Sequence, residues 1–559
     1  MRTDRLRTGT RGRLGAGLGV GLGLALAAAL AVPAHALAPG SPVSPGEPAA
    51  ARSAAPATAQ ANTTYAGATV RTRDGRLRGA VKRNHRVFSG IRYAAPAARW
   101  GAPQPQRPWT GTRTALRPGA ECAQLAVFWR PGHAASRAED CLFLNVYTPG
   151  RATGKRPVQV FFHGGGGING AATDAAPVRM ANQGDSVVVT VNYRLGVLGG
   201  LNLPGLDAET ADGRSGGNYA NLDKVQALRW IQRNIAAFGG DRRRVMIAGQ
   251  SAGAGAVCWL LASPSAAGLF SAAVIQSGGS CGNALTREES HAAGMRFAEA
   301  AGCSDADTAL ACLRAASVAD LLDAQAATGT GSSTVAGGSD LPLMPKDAFA
   351  SGRFNRVPVI IGNVRNEGRA FVYEANDLVR QPVTPAAYVA QIEKAYGERA
   401  ATILAEYPLS DYRTPGLARA KVQTDDRVCT ALPVTRSISR FTPAWTYEFR
   451  DETAPLRPYM TIPASYRIGS GHSAELPYLW QSEIVGSLSR AQLRLSGVMI
   501  GHWSRLAATG RPTGRGLDGW PRFRTGSGEQ RLLFLAGGRT RVIGGEAFVA
   551  EHHCDMWMR

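Results

Sequence analysis

Metal-binding cysteine pairs are missing from this chain: its eight cysteines include no CxxC, which argues against a zinc site, and no cofactor-binding motif accompanies them. Lysine is scarce and arginine is dispersed rather than massed in stripes. Although the formal net charge is +22, no nucleic-acid motif goes with it, so a nucleic-acid partner is not expected. Beyond residue 36 no apolar run is long enough to span a bilayer, so the mature chain should have no membrane span. No internal repeat is present, which sets repeat architectures aside.

What the chain does have begins with an address label. Arg2, Arg5, Arg7, Arg11 and Arg13 precede an apolar stretch from Leu14 to Val32, and Ala34-His35-Ala36 has the small-x-small form of a signal-peptidase site. Residues 1–36 therefore predict a signal peptide and a secreted, extracellular protein. Setting them aside removes five Arg and one Asp and leaves a net charge of +18, enough to favour acidic polymers or cell surfaces. Residues 37–64 are rich in Ala, Pro, Ser and Thr with almost no large apolar side chain, which predicts a disordered linker. Cys122, Cys141, Cys258, Cys281, Cys303, Cys312, Cys429 and Cys554 all follow the signal, and an even number in an exported chain suggests four disulfides. Composition leaves their pairing open.

Apolar strand-like runs at Val158–Phe162, Val187–Val191, Val245–Ala248, Ala272–Ile275 and Val357–Ile361 alternate with helical patterns. That alternation predicts an α/β fold with a large, mostly parallel sheet flanked by helices. Length would allow several domains, but the candidate functional positions are scattered along the chain. One domain over 65–559 with long insertions explains the scatter better.

One stretch organises the rest. In RRVMIAGQSAGAGAVCWLLASP, Arg243 to Pro264, a strand-length run leads through GQSAG into a buried-helix pattern. The GxSxG spacing alone is weak in a chain with 67 glycines, and it also occurs at Gly213–Gly217 and Gly278–Gly282. Only Ser251 has a strand before it and a helix directly behind. Glycines on both sides suit a nucleophile on a strained elbow, where larger neighbours would collide.

A serine hydroxyl needs an imidazole as base and a carboxylate to orient that imidazole. In the elbow arrangement acid and histidine follow the serine in that order. His291 and His502 fall in helical patterns, and His552 and His553 crowd beside Cys554. His472, in RIGSGHSAELPYLW, lies on a glycine-rich loop able to enter a cleft. Glu367 follows the strand-like VPVIIG, and the carboxyl end of a strand is where an open α/β sheet builds its site. The run HGGGGING, His163 to Gly170, follows VQVFF and could offer backbone N–H groups to a developing oxyanion.

Together these pieces resemble the type-B carboxylesterase family, the cholinesterase-like and para-nitrobenzyl-esterase-like branch of the α/β-hydrolase fold. The likeness runs through FSGIRYAAP, EDCLFLNV, VNYRLGVLG, GNYANLDKVQALRWIQRNIAAFGGD, GQSAG, RNEG and GSGHSAELPYL. It implies a catalytic triad of Ser251, Glu367 and His472, with oxyanion donors at Gly165, Gly166 and Ala252. The family's disulfide pattern implies Cys122–Cys141, Cys303–Cys312 and Cys429–Cys554, leaving Cys258 to Cys281.

Three departures stand out. Gln250 precedes the serine where the family more often has Glu, which should alter the pH response. Gly167 stands where many relatives carry an aromatic, so the space beside the oxyanion hole should be wider. Only 7% of residues are aromatic, and Trp129 alone makes a thin case for a choline-binding pocket. The expectation is a secreted serine hydrolase that cleaves small-molecule carboxylic esters through an acyl-enzyme, with neither metal nor organic cofactor. Its alternatives are a lipase acting on long-chain glycerides and a non-catalytic binding protein of the same fold.

Overall fold

Short runs of β-branched and aromatic side chains set the strands, and the computed structural model shows how they assemble. It describes residues 68–150, 155–279, 281–480 and 487–558; the expected signal peptide and linker lie outside them. In chain order the strands are β1 Thr69–Arg71, β2 Arg76–Arg78, β3 Ala80–Val81, β4 His85–Arg92, β5 Thr112–Thr114, β6 Phe143–Pro149 and β7 Arg156–Phe162. They continue with β8 Val187–Val191, β9 Gly240–Gln250, β10 Ala272–Gln276, β11 Val359–Val364, β12 Ala444–Phe449, β13 Arg531–Leu535 and β14 Arg539–Ile543.

β1, β2 and β5 form a small sheet, and the other eleven form one sheet in the order β14-β13-β12-β11-β10-β9-β7-β8-β6-β4-β3. Every pairing from β8 through β7, β9, β10, β11 and β12 to β13 is parallel. Antiparallel strands stand only at the margins, with β6, β4 and β3 on one side and β14 on the other. This is the α/β-hydrolase arrangement the sequence predicts; four of the apolar runs fall within its parallel centre, and the fifth, Val357–Ile361, enters it at Val359. Every residue of β7, β8 and β10 is buried, as parallel strands covered on both faces require.

Alternate residues of the strands feed two cores. On one face Val160, Ile247 and Ile275 pack with Trp230 of helix Tyr219–Asn234 and Trp259 of helix Ala252–Ala262. On the other, Phe161, Met246 and Val274 pack with Trp480 and with Trp503 of helix Arg490–Thr509. Because β7, β9 and β11 are parallel, their carboxyl ends open at one edge, and the segments holding His163, Ser251 and Glu367 leave the sheet there.

All eight cysteines pair as expected: Cys122–Cys141, Cys258–Cys281, Cys303–Cys312 and Cys429–Cys554. His291 and His502 lie on helices Arg287–Ala300 and Arg490–Thr509, away from the loops that meet at the sheet edge. No helix among the described residues is long and apolar enough to cross a membrane.

Candidate active site

Ser251 sits between the end of β9 and the first turn of helix Ala252–Ala262, at φ 58° and ψ −121°. A side-chain-bearing residue held there stores on the order of 1–3 kcal/mol of strain. The surroundings enforce it. Its N–H donates to the Gln276 carbonyl at 3.0 Å, and its carbonyl accepts from the N–H groups of Ala254 and Gly255. The flanking glycines are obligatory, because a Cβ at Gly249 would lie 2.1 Å from the Gly253 carbonyl oxygen, and one at Gly253 would lie 2.1 Å from that of Phe162.

The loop after β7 comes alongside. Gly165, Gly166 and Gly167 have φ values of 101°, 66° and 75°, and a Cβ at Gly165 would lie 2.3 Å from the Asn169 carbonyl oxygen. Asn169 and Ile168 donate back to the Gly165 carbonyl, while the N–H groups of Gly165, Gly166 and Ala252 have no acceptor among the described residues. Free donors beside a serine at a helix N-terminus are suited to stabilising negative charge. Two braces fix the loop: Gln124 accepts from the Gly170 N–H at 2.9 Å and donates to the Gly170 carbonyl at 3.1 Å. Trp129 donates its indole N–H to Asn169 Oδ1 at 3.0 Å. The extra room expected at Gly167 is taken up, since a Cβ there would lie 3.2 Å from the Ser332 Cβ.

Glu367 opens helix Glu367–Val372 just after β11, and its two oxygens are both engaged. Oε1 accepts the Val364 N–H at 3.1 Å, and Oε2 lies 2.5 Å from His472 Nδ1. Burial alone would raise this carboxyl, but the His472 imidazole and the Arg427 guanidinium outweigh it and hold it below the usual range. The His472 loop is tied down beside it. Asn366 N–H donates to the Ser470 carbonyl at 3.1 Å, Arg457 donates to the His472 carbonyl at 3.3 Å, and the Phe371 ring stands 4.5 Å from the imidazole. Burial pushes His472 below its ordinary value against the pull of Glu367, which favours the neutral ring.

Ser251 and His472 share no hydrogen bond; it is the neighbouring Gln250 that meets the imidazole. Among the described residues the Ser251 hydroxyl makes no hydrogen bond, and His472 Nε2 faces Gln250 Nε2 at 3.1 Å. Sequence reasoning missed several neighbours. Glu475 is fully buried three residues after His472, where burial and then Glu367 push it up to about 8. Arg427 lies 4.8 Å over the Phe371 ring, which in turn stands against the imidazole. Only their placement after folding separates these residues from ordinary surface acids and cations.

The fold and this strand-serine-helix elbow define a class, the serine hydrolases of the α/β-hydrolase fold. A model of the carboxylesterase family matches residues 66–557. Fumonisin B1 esterase of Sphingopyxis macrogoltabida is 32% identical over 480 residues, covering 81% of this chain and 84% of the relative. Para-nitrobenzyl esterase of Bacillus subtilis (strain 168) is 28% identical over 497 residues, covering 83% and 94%. A solved structure of a PNB esterase superposes with a TM-score of 0.71 at 25% identity, over 87% of this chain and 99% of its own. The chain belongs to the carboxylesterase family, and it is a carboxylic ester hydrolase.

Proposed function

We propose that the protein is a secreted enzyme, a single catalytic domain over 65–559, in which Ser251 is the nucleophile, His472 the general base and Glu367 its orienting carboxylate. The observation that carries this reading is the convergence on one sheet edge of a strained Ser251 and a His472 held at 2.5 Å by buried Glu367. His472 Nε2 takes the Ser251 proton as Oγ attacks the ester carbonyl, and the N–H groups of Gly165, Gly166 and Ala252 receive the oxyanion. Nε2 then returns the proton to the departing alcohol. Water attacks the acyl-enzyme with the same imidazole as base, and the acid leaves. Glu367 stays ionised and stabilises the imidazolium that forms twice per cycle.

The substrate is a small-molecule ester. A fluorophosphonate probe tests the nucleophile: wild type labels stoichiometrically and Ser251→Ala neither labels nor turns over a nitrophenyl ester. Labelling that survives in Ser251→Ala overturns the assignment. A chain-length series of nitrophenyl esters separates the esterase from a lipase, the esterase preferring soluble short acyl groups.

A further inference from the structure

We infer that Gln250 is a positioning residue that holds the neutral His472 imidazole in a resting hydrogen bond and lowers its basicity; this rests on the triad proposed above. Glu367 lies at Nδ1, so the proton of the neutral ring belongs there and Nε2 carries the lone pair. A lone pair only accepts. The atom facing it at 3.1 Å is the Gln250 amide nitrogen, which donates. That bond exists only with the neutral ring, so it favours the neutral form; imidazolium would need the amide turned to offer its oxygen.

Gln250 has little freedom to move aside. It is buried, its backbone pairs with Gln276 in the sheet, and its amide lies under the oxyanion loop, where a Cβ on Gly164 would be 3.1 Å from Gln250 Oε1. Ser251 must therefore displace an amide donor to reach the base. A glutamate at 250 would reverse the effect, since a carboxylate accepts from Nε2–H and stabilises imidazolium. The other charged groups acting on His472 come from different elements: Glu367 and Arg427 on their helices and Arg457 on the preceding loop. None of them contacts Nε2.

The test is the pH dependence of kcat/KM for a nitrophenyl ester with wild type, Gln250→Met and Gln250→Glu. The acid limb should move upward in the Met variant and further in the Glu variant, by about one pH unit or more. Superimposed limbs in all three, or a Glu variant below wild type, overturn the inference. Should either variant fail to fold, ¹⁵N spectra of histidine-labelled wild type decide, with His472 assigned by its loss in His472→Gln. A neutral ring protonated on Nδ1 and bare at Nε2 supports the inference, and an Nε2–H tautomer refutes it. Ser251→Ala is assayed in parallel, so that its residual turnover marks failure of the triad and superimposed limbs with an inactive Ser251→Ala mark failure of Gln250 alone.

Discussion

The imidazole of His552 meets Asp425 Oδ1 through Nδ1 at 2.9 Å, with both side chains buried. Its other nitrogen lies 2.8 Å from Glu448 Oε1, so both ring nitrogens donate and the ring is an imidazolium clamped between carboxylates of helix Pro415–Thr430 and β12. Lys421 and Tyr407 also reach Asp425, and Arg450 pairs with Glu448. Burial would lower His552, but Glu448 and Asp425 outweigh it and raise it above 6.5. Burial would likewise raise Glu448, yet His552 and Arg450 hold it at about 2.

The sign of the pH dependence follows from the raised imidazole. Its stabilisation is complete below the unfolded value near 6.5 and is lost as pH rises through the higher folded value. The wild-type melting temperature should therefore decline above pH 6.5, with a His552-dependent component. His552→Gln should remove that component and cost about 3–5 kcal/mol at pH 6, because buried carboxylates lose their counter-charge. Parallel pH–melting curves for wild type and variant would count against the clamp.

The same C-terminal segment is bound covalently. Cys429–Cys554 spans a sequence separation of 125, the longest of the disulfides present. In the chain-entropy model it contributes on the order of 4–5 kcal/mol, more than the bridges closing shorter loops. Replacing both cysteines by serine should lower the melting temperature more than the corresponding change at Cys303 and Cys312, whose separation is 9. Differential scanning calorimetry of the two double variants makes the comparison.

What could be read beforehand was whatever local pattern dictates. VQVFF, VVVTV and AAVIQ each carry a single polar residue in an otherwise apolar run, so β7, β8 and β10 stand out, and the elbow shows itself through glycines flanking a serine between strand and helix. β12, AWTYEF, is equally buried but carries Glu448 inward, and that acid is tolerable only because His552 arrives from distant sequence while Arg450, two residues on, pairs with it. Ser251, Glu367 and His472, the residues proposed as a triad, could be singled out because each follows a strand or lies on a glycine loop. The Gln250–His472 contact was not, since it joins positions 222 residues apart and depends on which way one amide turns.

The elbow glycines give a sharper steric prediction. At Gly253 an added Cβ would meet the Phe162 carbonyl oxygen at 2.1 Å and that of His163 at 2.7 Å, both backbone atoms at the root of the loop proposed to hold the oxyanion. Gly253→Ala must push helix and loop apart, costing about 1–3 kcal/mol and misplacing the donors. Turnover should fall at least about a hundredfold, the scale of losing one oxyanion donor. Gly497→Ala, on helix Arg490–Thr509 where an added Cβ would meet nothing within 4 Å, is the control, and equal activities in the two variants would contradict the tight approach.

Glu475 supplies the least intuitive expectation. Its Oε1 accepts from Gln276 at 3.4 Å and its Oε2 has no partner among the described residues, so the buried group is comfortable only when protonated. With a folded value of about 8 against an ordinary 4.5, the folded state binds the extra proton across that window. Stability falls as pH rises from about 4.5 to 8 and levels off above, because the unfolded chain ionises first. Glu475→Gln keeps the shape, can keep the Gln276 contact and never ionises. Its melting temperature should match wild type near pH 4.5, exceed it increasingly up to about pH 8 and keep a constant lead above, as thermal scans at half-unit pH intervals would record; a variant less stable than wild type at pH 9 would mean that the ionised carboxylate is favoured after all.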